Sequence, residues 1–89
     1  MSAGLTGAVP VEGTREDLAQ RAAGRHPGTV HLVRLFAWAH LPAHLQEVSR
    51  PCAELALAML DRLPDGPELT AGLRKLREAK DCFVTQALE

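Results

Sequence analysis

Two stretches with a helical spacing of apolar residues constrain the fold of this chain more than any other feature. In the first, from Leu45 to Met59, apolar side chains recur at alternating steps of three and four residues, which places them on one face of a helix. The second stretch, from Leu69 to Ala87, repeats the pattern. We expect two consecutive helices whose apolar stripes face each other. The stripe residues are Leu45, Val48, Cys52, Leu55 and Met59, followed by Leu69, Leu73, Leu76, Phe83 and Ala87.

The connector between the stripes, residues 63–66, contains signals that end one helix and begin the next. Pro64 cannot continue a helix, and Asp65 with Gly66 supplies a cap and a flexible joint. Pro67 suits the first position of a helix, where its missing N–H costs nothing. The chain from residue 41 to residue 89 is therefore predicted to form an antiparallel helical hairpin.

Pro51 lies inside the first predicted helix. A proline at such a position removes one backbone hydrogen bond and clashes with the carbonyl four residues earlier, at Glu47. Because the apolar stripe stays in phase on both sides of Pro51, we expect the helix to bend there rather than to end and start afresh.

The composition sets the kind of core that the chain can build. Of its 89 residues, 46% are apolar and only 3% aromatic, which indicates one domain packed from alanine and leucine between helices. Leu57 and Leu60 lie off the first stripe, so a second face of that helix also needs cover, and another copy of the chain would provide it. We therefore predict an all-α fold, a helical hairpin with a short N-terminal helix, that assembles as a homo-oligomer.

Charge and cysteine content exclude several classes of protein. A formal net charge of −1 argues against a nucleic-acid coat or a membrane-surface protein, because both need a broad basic surface. Neither Cys52 nor Cys82 lies in a CxxC motif, and we expect both to be small buried residues in a reducing compartment. The chain has no apolar run of about 18 residues and no secretion signal at its start, so a soluble, cytoplasmic protein is expected.

The N-terminal part of the chain is less regular. Residues 1–13 are small, apolar and almost uncharged, which predicts a flexible leader. Thr14 to Asp17 has the form of a capping box, and it predicts a short helix that Gly24 ends. We treat residues 14–40 as this helix followed by an apolar linker or second helix.

The apolar segment 30–36 is compatible with two conformations. Thr29 as a cap and the spacing of the leucines favour a helix, whereas the β-branched and aromatic content permits an extended strand-like piece. We predict a helix over residues 30–36, preceded by a turn at 25–28 and followed by a turn at 40–44.

Basic residues of the second hairpin helix are the first candidates for binding. Arg74 and Arg77 share a face one turn apart, so their guanidinium groups could hold a phosphate at a seam between protomers. The alternative is an ordinary solvated face that Glu78 and Asp81 neutralise. The basic residues of this helix are Arg74, Lys75, Arg77 and Lys80.

Histidine and tryptophan side chains near the start of the hairpin give further candidates. His40 and His44 have the spacing of two metal ligands on one helix, but Pro42 lies between them and Leu41 stands where a zinc protease has its glutamate. We expect no metal there, and the pair is either polar turn residues or in contact with a ligand. Trp38 is compatible with base stacking or with core packing. No motif indicates catalysis or a cofactor.

Four segments together resemble the helical hairpin of phage-encoded cyclic-nucleotide sponges, the small proteins with which phages counter the CBASS and Thoeris defences. The segments are Leu35 to Pro42, Leu45 to Met59, Leu63 to Glu68 (Leu-Pro-Asp-Gly-Pro-Glu) and Leu73 to Ala79 (Leu-Arg-Lys-Leu-Arg-Glu-Ala). The likeness covers about the last 55 residues, roughly three fifths of the chain.

The resemblance implies a homo-oligomer, commonly a hexamer, that does no chemistry and works in the cytoplasm of an infected bacterium. It would sequester a cyclic di- or trinucleotide or a cyclic ADP-ribose isomer in pockets between protomers. The residues expected to contact the ligand are Arg74, Arg77, Trp38, His40, His44, Thr70, Lys75 and Arg50. The alternative is a small helical interaction or DNA-associated protein that presents the basic face of its second hairpin helix to a partner.

Overall fold

Helices account for all the regular secondary structure in residues 12–89, which are the residues that the computed structural model describes. Residues 1–11 of the predicted leader lie outside this range. The predicted all-α class is confirmed. The helices are α1 (Arg15–Arg21), α2 (Pro27–Arg34), α3 (Ala43–Arg62) and α4 (Pro67–Leu88).

The start of α1 is capped as its sequence predicts. The side-chain oxygen of Thr14 accepts a hydrogen bond of 3.0 Å from the backbone N–H of Asp17. The reciprocal bond of the capping box is displaced, because the Asp17 carboxylate accepts from the N–H of Glu12, at 2.9 Å, and not from that of Thr14. After α1 ends, Gly24 has a φ of +86°, a conformation that favours glycine.

Segment 30–36 is mostly helical, as predicted, but its helix begins earlier than the expected cap at Thr29. Pro27 occupies the first turn of α2, and Nδ1 of His26 accepts a hydrogen bond of 3.0 Å from the N–H of Gly28. Thr29 lies inside the helix and is fully buried. Because His26 caps α2, Pro27 and Gly28 belong to the helix, and the turn predicted at 25–28 is shorter than expected.

Helix α3 runs without a break through Pro51, so the expectation that the helix does not end there is confirmed, and the bend at Pro51 stays a prediction. The stripe assigned to its core face is wrong in part. Leu55 is 49% exposed, whereas Leu57 and Leu60 are buried. The buried face is rotated by roughly a quarter turn from the predicted stripe. It consists of Leu45, Ser49, Cys52, Ala53, Ala56, Leu57 and Leu60.

The core lies between α3 and α4 on one side and α1, α2 and residues 36–38 on the other. Leu57 and Leu60 belong to this core, so the chain's own N-terminal helices cover them. These two leucines therefore do not require a second copy of the chain, and the prediction that they do is wrong. The apolar side chains that remain open belong to other positions: Leu55, Leu63, Phe83 and Leu88.

Asp65 joins the two sides of this core, and the prediction that it caps α4 is wrong. Helix α4 begins without a side-chain cap. The Asp65 carboxylate instead accepts hydrogen bonds from the backbone N–H of His26 at 3.0 Å and from the hydroxyl of Thr29 at 3.1 Å, at the start of α2. It thus caps a helix that is distant in sequence.

Arg25 completes the link between the connector and the start of α2. Its Nε donates to the Asp65 carboxylate at 3.1 Å. Its two terminal nitrogens donate to the carbonyls of Leu60 at 2.7 Å and Leu63 at 2.6 Å, which lie at the end of α3. One guanidinium therefore satisfies carbonyls that the end of a helix leaves without partners.

Replacing Thr29 with valine tests this link. The change preserves the buried volume but removes the hydroxyl that donates to Asp65, so the free energy of unfolding in urea should fall by about 0.5–1.5 kcal/mol. Thr85→Val is the matched control, because that hydroxyl is exposed and bonds only within α4, to the carbonyl of Asp81. Equal losses in the two variants would contradict a specific role for the Thr29–Asp65 bond.

The hydrogen bonds to Asp65 also predict a dependence of stability on pH. The backbone N–H of His26 above all, with smaller contributions from Thr29 and Arg25, lowers the pKa of Asp65 despite the opposing effect of desolvation. Stability from a lowered carboxyl pKa is complete above the unfolded value of about 3.9 and is lost as the pH falls through the folded value.

We expect the melting temperature, followed by circular dichroism, to fall as the pH is lowered from about 5 to about 2, and to fall less in Asp65→Asn. Asp61→Asn is the control, because it removes a more exposed carboxylate that pairs with Arg21 at 2.8 Å. If the melting temperature of Asp65→Asn fell with pH as much as that of the unmodified chain, the pH dependence could not be assigned to Asp65.

Candidate functional site

The inward face of α4 changes from apolar to cationic along the helix. Leu69 and Leu73 are buried, and the next positions with the same spacing are Arg77, Lys80 and Val84. Although Lys80 is charged, its side chain is only 12% exposed. Its Nζ donates to the carbonyl of Leu35 at 3.3 Å and lies 3.0 Å from the carboxylate of Asp81.

Two grooves open on this cationic part of α4. The first, which we call the Ser49 groove, has a volume of about 390 Å³ and lies between α4, α3 and the segment that joins α2 to α3. Its polar lining is strongly basic, with one carboxylate. The polar and charged residues that define it are Arg15, Arg34, His40, Ser49, Arg77, Lys80, Asp81 and Thr85.

The second groove, which we call the Arg74 groove, lies between α2 and α4 and has a volume of about 600 Å³. Arg74 is exposed there and forms no hydrogen bond or ion pair with the described residues. The hydroxyl of Thr70 donates to the carbonyl of Pro67 at 3.0 Å, so its oxygen can still accept a hydrogen bond. The polar residues that define the groove are His26, His31, Thr70, Arg74, Arg77 and Glu78.

The structure brings the predicted site residues together in groups rather than in one pocket. Arg74, Arg77 and Thr70 share the Arg74 groove, and Arg77 also lines the Ser49 groove beside His40. Trp38 and Arg50 lie together in a third cavity of about 360 Å³. His44 and Lys75 are exposed and lie outside these three cavities.

Trp38 is largely enclosed. Its residue surface is only 8% exposed, and the guanidinium carbon of Arg50 lies 4.7 Å from the centroid of its ring. The backbone of Gly13 lies against the ring, and the Gly13 carbonyl accepts hydrogen bonds from the N–H groups of Trp38 at 2.9 Å and Ala39 at 3.0 Å. A base could stack on this ring only after Gly13 or Arg50 had moved.

The acidic residues neutralise only part of the basic surface. Asp81 lies 3.6 Å from Nε of Arg77 and 3.0 Å from Nζ of Lys80. Glu78 lines the Arg74 groove but forms no ion pair within residues 12–89. Arg74 therefore keeps its charge available to a ligand.

Ser49, Arg34 and Arg15 were not predicted as candidate site residues, and Lys80 was predicted only as one of the basic residues of its helix. Ser49 follows Leu45 by one turn on the buried face of α3, and this spacing was a usable signal. Arg15 and Arg34 carry no comparable signal, because only the packing of α1 and α2 against the larger helices brings them to the groove.

The two cysteines differ. Cys52 is buried, and burial raises the pKa of its thiol despite the opposing charge of Lys80. Cys82 is exposed, so the prediction that both are buried is wrong for Cys82. Among residues 12–89, no three His, Cys, Asp or Glu residues form a group able to hold a metal ion.

None of the four helices is both long enough and apolar enough to cross a membrane, a finding that concerns residues 12–89 only. Comparison with known proteins found no matching family model, no matching curated protein and no matching solved structure.

The contact between Gly13 and Trp38 yields a prediction with a matched control. Gly13 and Gly24 have similar φ values, +82° and +86°, but a Cβ on Gly13 would clash with the Trp38 ring, whereas one on Gly24 would meet nothing within 4 Å. Gly24→Ala should cost about 1 kcal/mol of unfolding free energy, from backbone conformation alone.

Gly13→Ala adds the clash and should cost about 1–3 kcal/mol more than Gly24→Ala in urea unfolding. The emission of Trp38, the only tryptophan, should change in the Gly13 variant alone. Equal costs would show that Gly13 does not pack on the ring in solution.

Proposed function

We propose that this protein binds a small phosphate-containing nucleotide and withholds it without changing it chemically. The observation that carries this proposal is the Arg74 groove, in which Arg74 has no partner among the described residues and lies one turn from Arg77 and one turn from Thr70. A volume of about 600 Å³ lies within the range of small-molecule sites.

The chemistry of these side chains suits a phosphodiester. Each guanidinium offers a planar pair of N–H donors to phosphate oxygens, and the Thr70 oxygen can accept a hydrogen bond from a base or ribose. His31, on the α2 side of the groove, provides a flat ring for stacking. The ligand class that fits is a cyclic di- or trinucleotide or a cyclic ADP-ribose isomer.

The assembly proposed with this function is a homo-oligomer, a hexamer by resemblance, built on α3 and α4 as an antiparallel helical hairpin. Leu55 and Phe83 are 49% and 54% exposed, and burying such side chains against another copy would stabilise an assembly. Residues outside the Arg74 groove, namely Arg50, Trp38, His40, His44 and Lys75, would then contact ligand only where a neighbouring protomer completes the pocket.

The biological role that follows is that of a phage sponge, which suppresses anti-phage signalling of the CBASS or Thoeris type in the cytoplasm of the infected host. The resemblance of residues 35–89 to such sponges supports this role. A protein that only binds needs a well-shaped basic pocket and no reactive group, and the Arg74 groove meets that requirement.

The same exposed apolar residues favour a second candidate, a helical interaction protein without a small-molecule ligand. Leu63, just after α3, and Leu88, at the end of α4, are exposed as well. A DNA-associated role has less support, because the net charge of −1 provides no broad basic surface.

Native mass spectrometry with a panel of cyclic di- and trinucleotides and cyclic ADP-ribose isomers separates these candidates. We expect a retained ligand that is released unchanged on heating, from an oligomer of defined mass. An oligomer that retains no member of the panel would favour the interaction protein, and a hydrolysed product would contradict simple sequestration.

Arg74→Ala is the sharpest test of the groove. Loss of a charged hydrogen bond should weaken ligand binding, measured by isothermal titration calorimetry, by about 1.5–3 kcal/mol. Arg62→Ala is the matched control, since it removes the same charge from the last turn of α3, outside the Arg74 groove. Equal effects of the two substitutions would mean that general charge, and not the groove, holds the ligand.

A further inference from the structure

A second polar site lies between α3 and α4, where polar residues replace apolar ones on the inward faces of both helices. On α3, Ser49 follows Leu45 by one turn, and on α4, Arg77 and Lys80 follow Leu73. These three side chains meet at the Ser49 groove. Apolar residues at these positions would bury more surface, so the polar side chains call for an explanation other than packing.

Ser49 gives the most specific evidence. The residue lines the groove and is 1% exposed, and its buried hydroxyl has no hydrogen-bond partner among the described residues. Nε of Arg77 also donates no hydrogen bond within residues 12–89, because the carboxylate of Asp81, with which it forms an ion pair, lies 3.6 Å away, beyond hydrogen-bond distance. Buried polar groups are nearly always paired, so the unpaired hydroxyl of Ser49, beside a guanidinium whose Nε makes no hydrogen bond, indicates a ligand that supplies the missing bonds.

The charges around the groove indicate that the ligand is negatively charged. Arg15, Arg34, Arg77 and Lys80 line it, and the only carboxylate among its lining residues is Asp81. Asp81 has a side chain that is 52% exposed and lies outward of Lys80, which is 12% exposed. An anion entering the groove can therefore replace Asp81 beside the cations while this carboxylate turns to solvent.

We propose that the Ser49 groove binds a phosphate group, held by Arg77, Lys80 and the Ser49 hydroxyl and attracted by Arg34 and Arg15. The groove lies within one chain and needs no second copy, in contrast to the shared pockets proposed for the cyclic nucleotide. Its volume of about 390 Å³ exceeds that of a phosphate ion and admits either free phosphate or a small phosphomonoester. This site does not rest on the proposed sponge function, although Arg77 also lines the Arg74 groove.

Titration of the ¹⁵N-labelled full chain with AMP, inorganic phosphate and adenosine, at constant ionic strength, tests the proposal. AMP or phosphate should shift the backbone amide signals of Ser49, Lys80 and Arg34, and adenosine should not. Tighter binding of AMP identifies a phosphomonoester as the source of the phosphate group, and equal binding identifies free phosphate. Shifts caused by adenosine alone, or by none of the three probes, would overturn the proposal.

Two substitutions that spare the shared Arg77 sharpen the test. Ser49→Ala removes the unpaired hydroxyl, so phosphate affinity should fall about fivefold while the melting temperature stays the same or rises. Arg34→Gln, at an exposed position, should reduce affinity about threefold with the fold unchanged. Unchanged affinity in both variants would overturn the site.

Arg74→Ala keeps the two proposals distinguishable. It should leave the binding of AMP and phosphate in the Ser49 groove unchanged, because Arg74 lines only the other groove. Ser49→Ala should leave retention of cyclic nucleotides unchanged for the same reason. A negative result for binding in one groove therefore does not contradict binding in the other.

Discussion

The carboxylate of Asp65 holds the two sides of this small protein together. It lies in the connector between α3 and α4, yet its hydrogen bonds go to His26 and Thr29 at the start of α2, and Arg25 ties the same connector to the carbonyls that end α3. All these groups lie at helix ends, where backbone donors and acceptors lack partners within the helix. A few residues thus fix α2 relative to the end of α3 and the start of α4.

The position of α2 creates the two grooves. Helix α2 packs on both α3 and α4, but it is only eight residues long, whereas α4 has 22. It therefore covers the apolar first half of the inward face of α4 and ends near the point where Arg77 and Lys80 begin. Lys80 donates to the carbonyl of Leu35, just after the end of α2. The short helix accordingly leaves the cationic positions facing open grooves instead of packed core.

The two grooves combine features that cost stability in a small domain. Ser49 occupies a position at which an apolar side chain would strengthen the core, and Arg74 keeps a charge without a partner among the described residues. Buried polar groups without partners are uncommon in native proteins and concentrate at sites where a ligand supplies the missing bonds. This arrangement supports the proposal that the two grooves bind anions.

The sequence by itself determined that the chain is helical, and it placed the start of α1 at Thr14 and the start of α4 at Pro67, because these signals act within a few residues. Tertiary structure alone decided which helix face is buried. Helical spacing relates residues on one helix but does not say which neighbour covers them, so Leu55 is exposed and Leu57 is buried. Tertiary structure also decided that Asp65 bonds to His26, which lies 39 residues away in the sequence. It likewise decided that Ser49 and Arg34 line the same groove. A side chain can satisfy any unpaired group that folding brings within hydrogen-bond distance, and local sequence does not specify which group that will be.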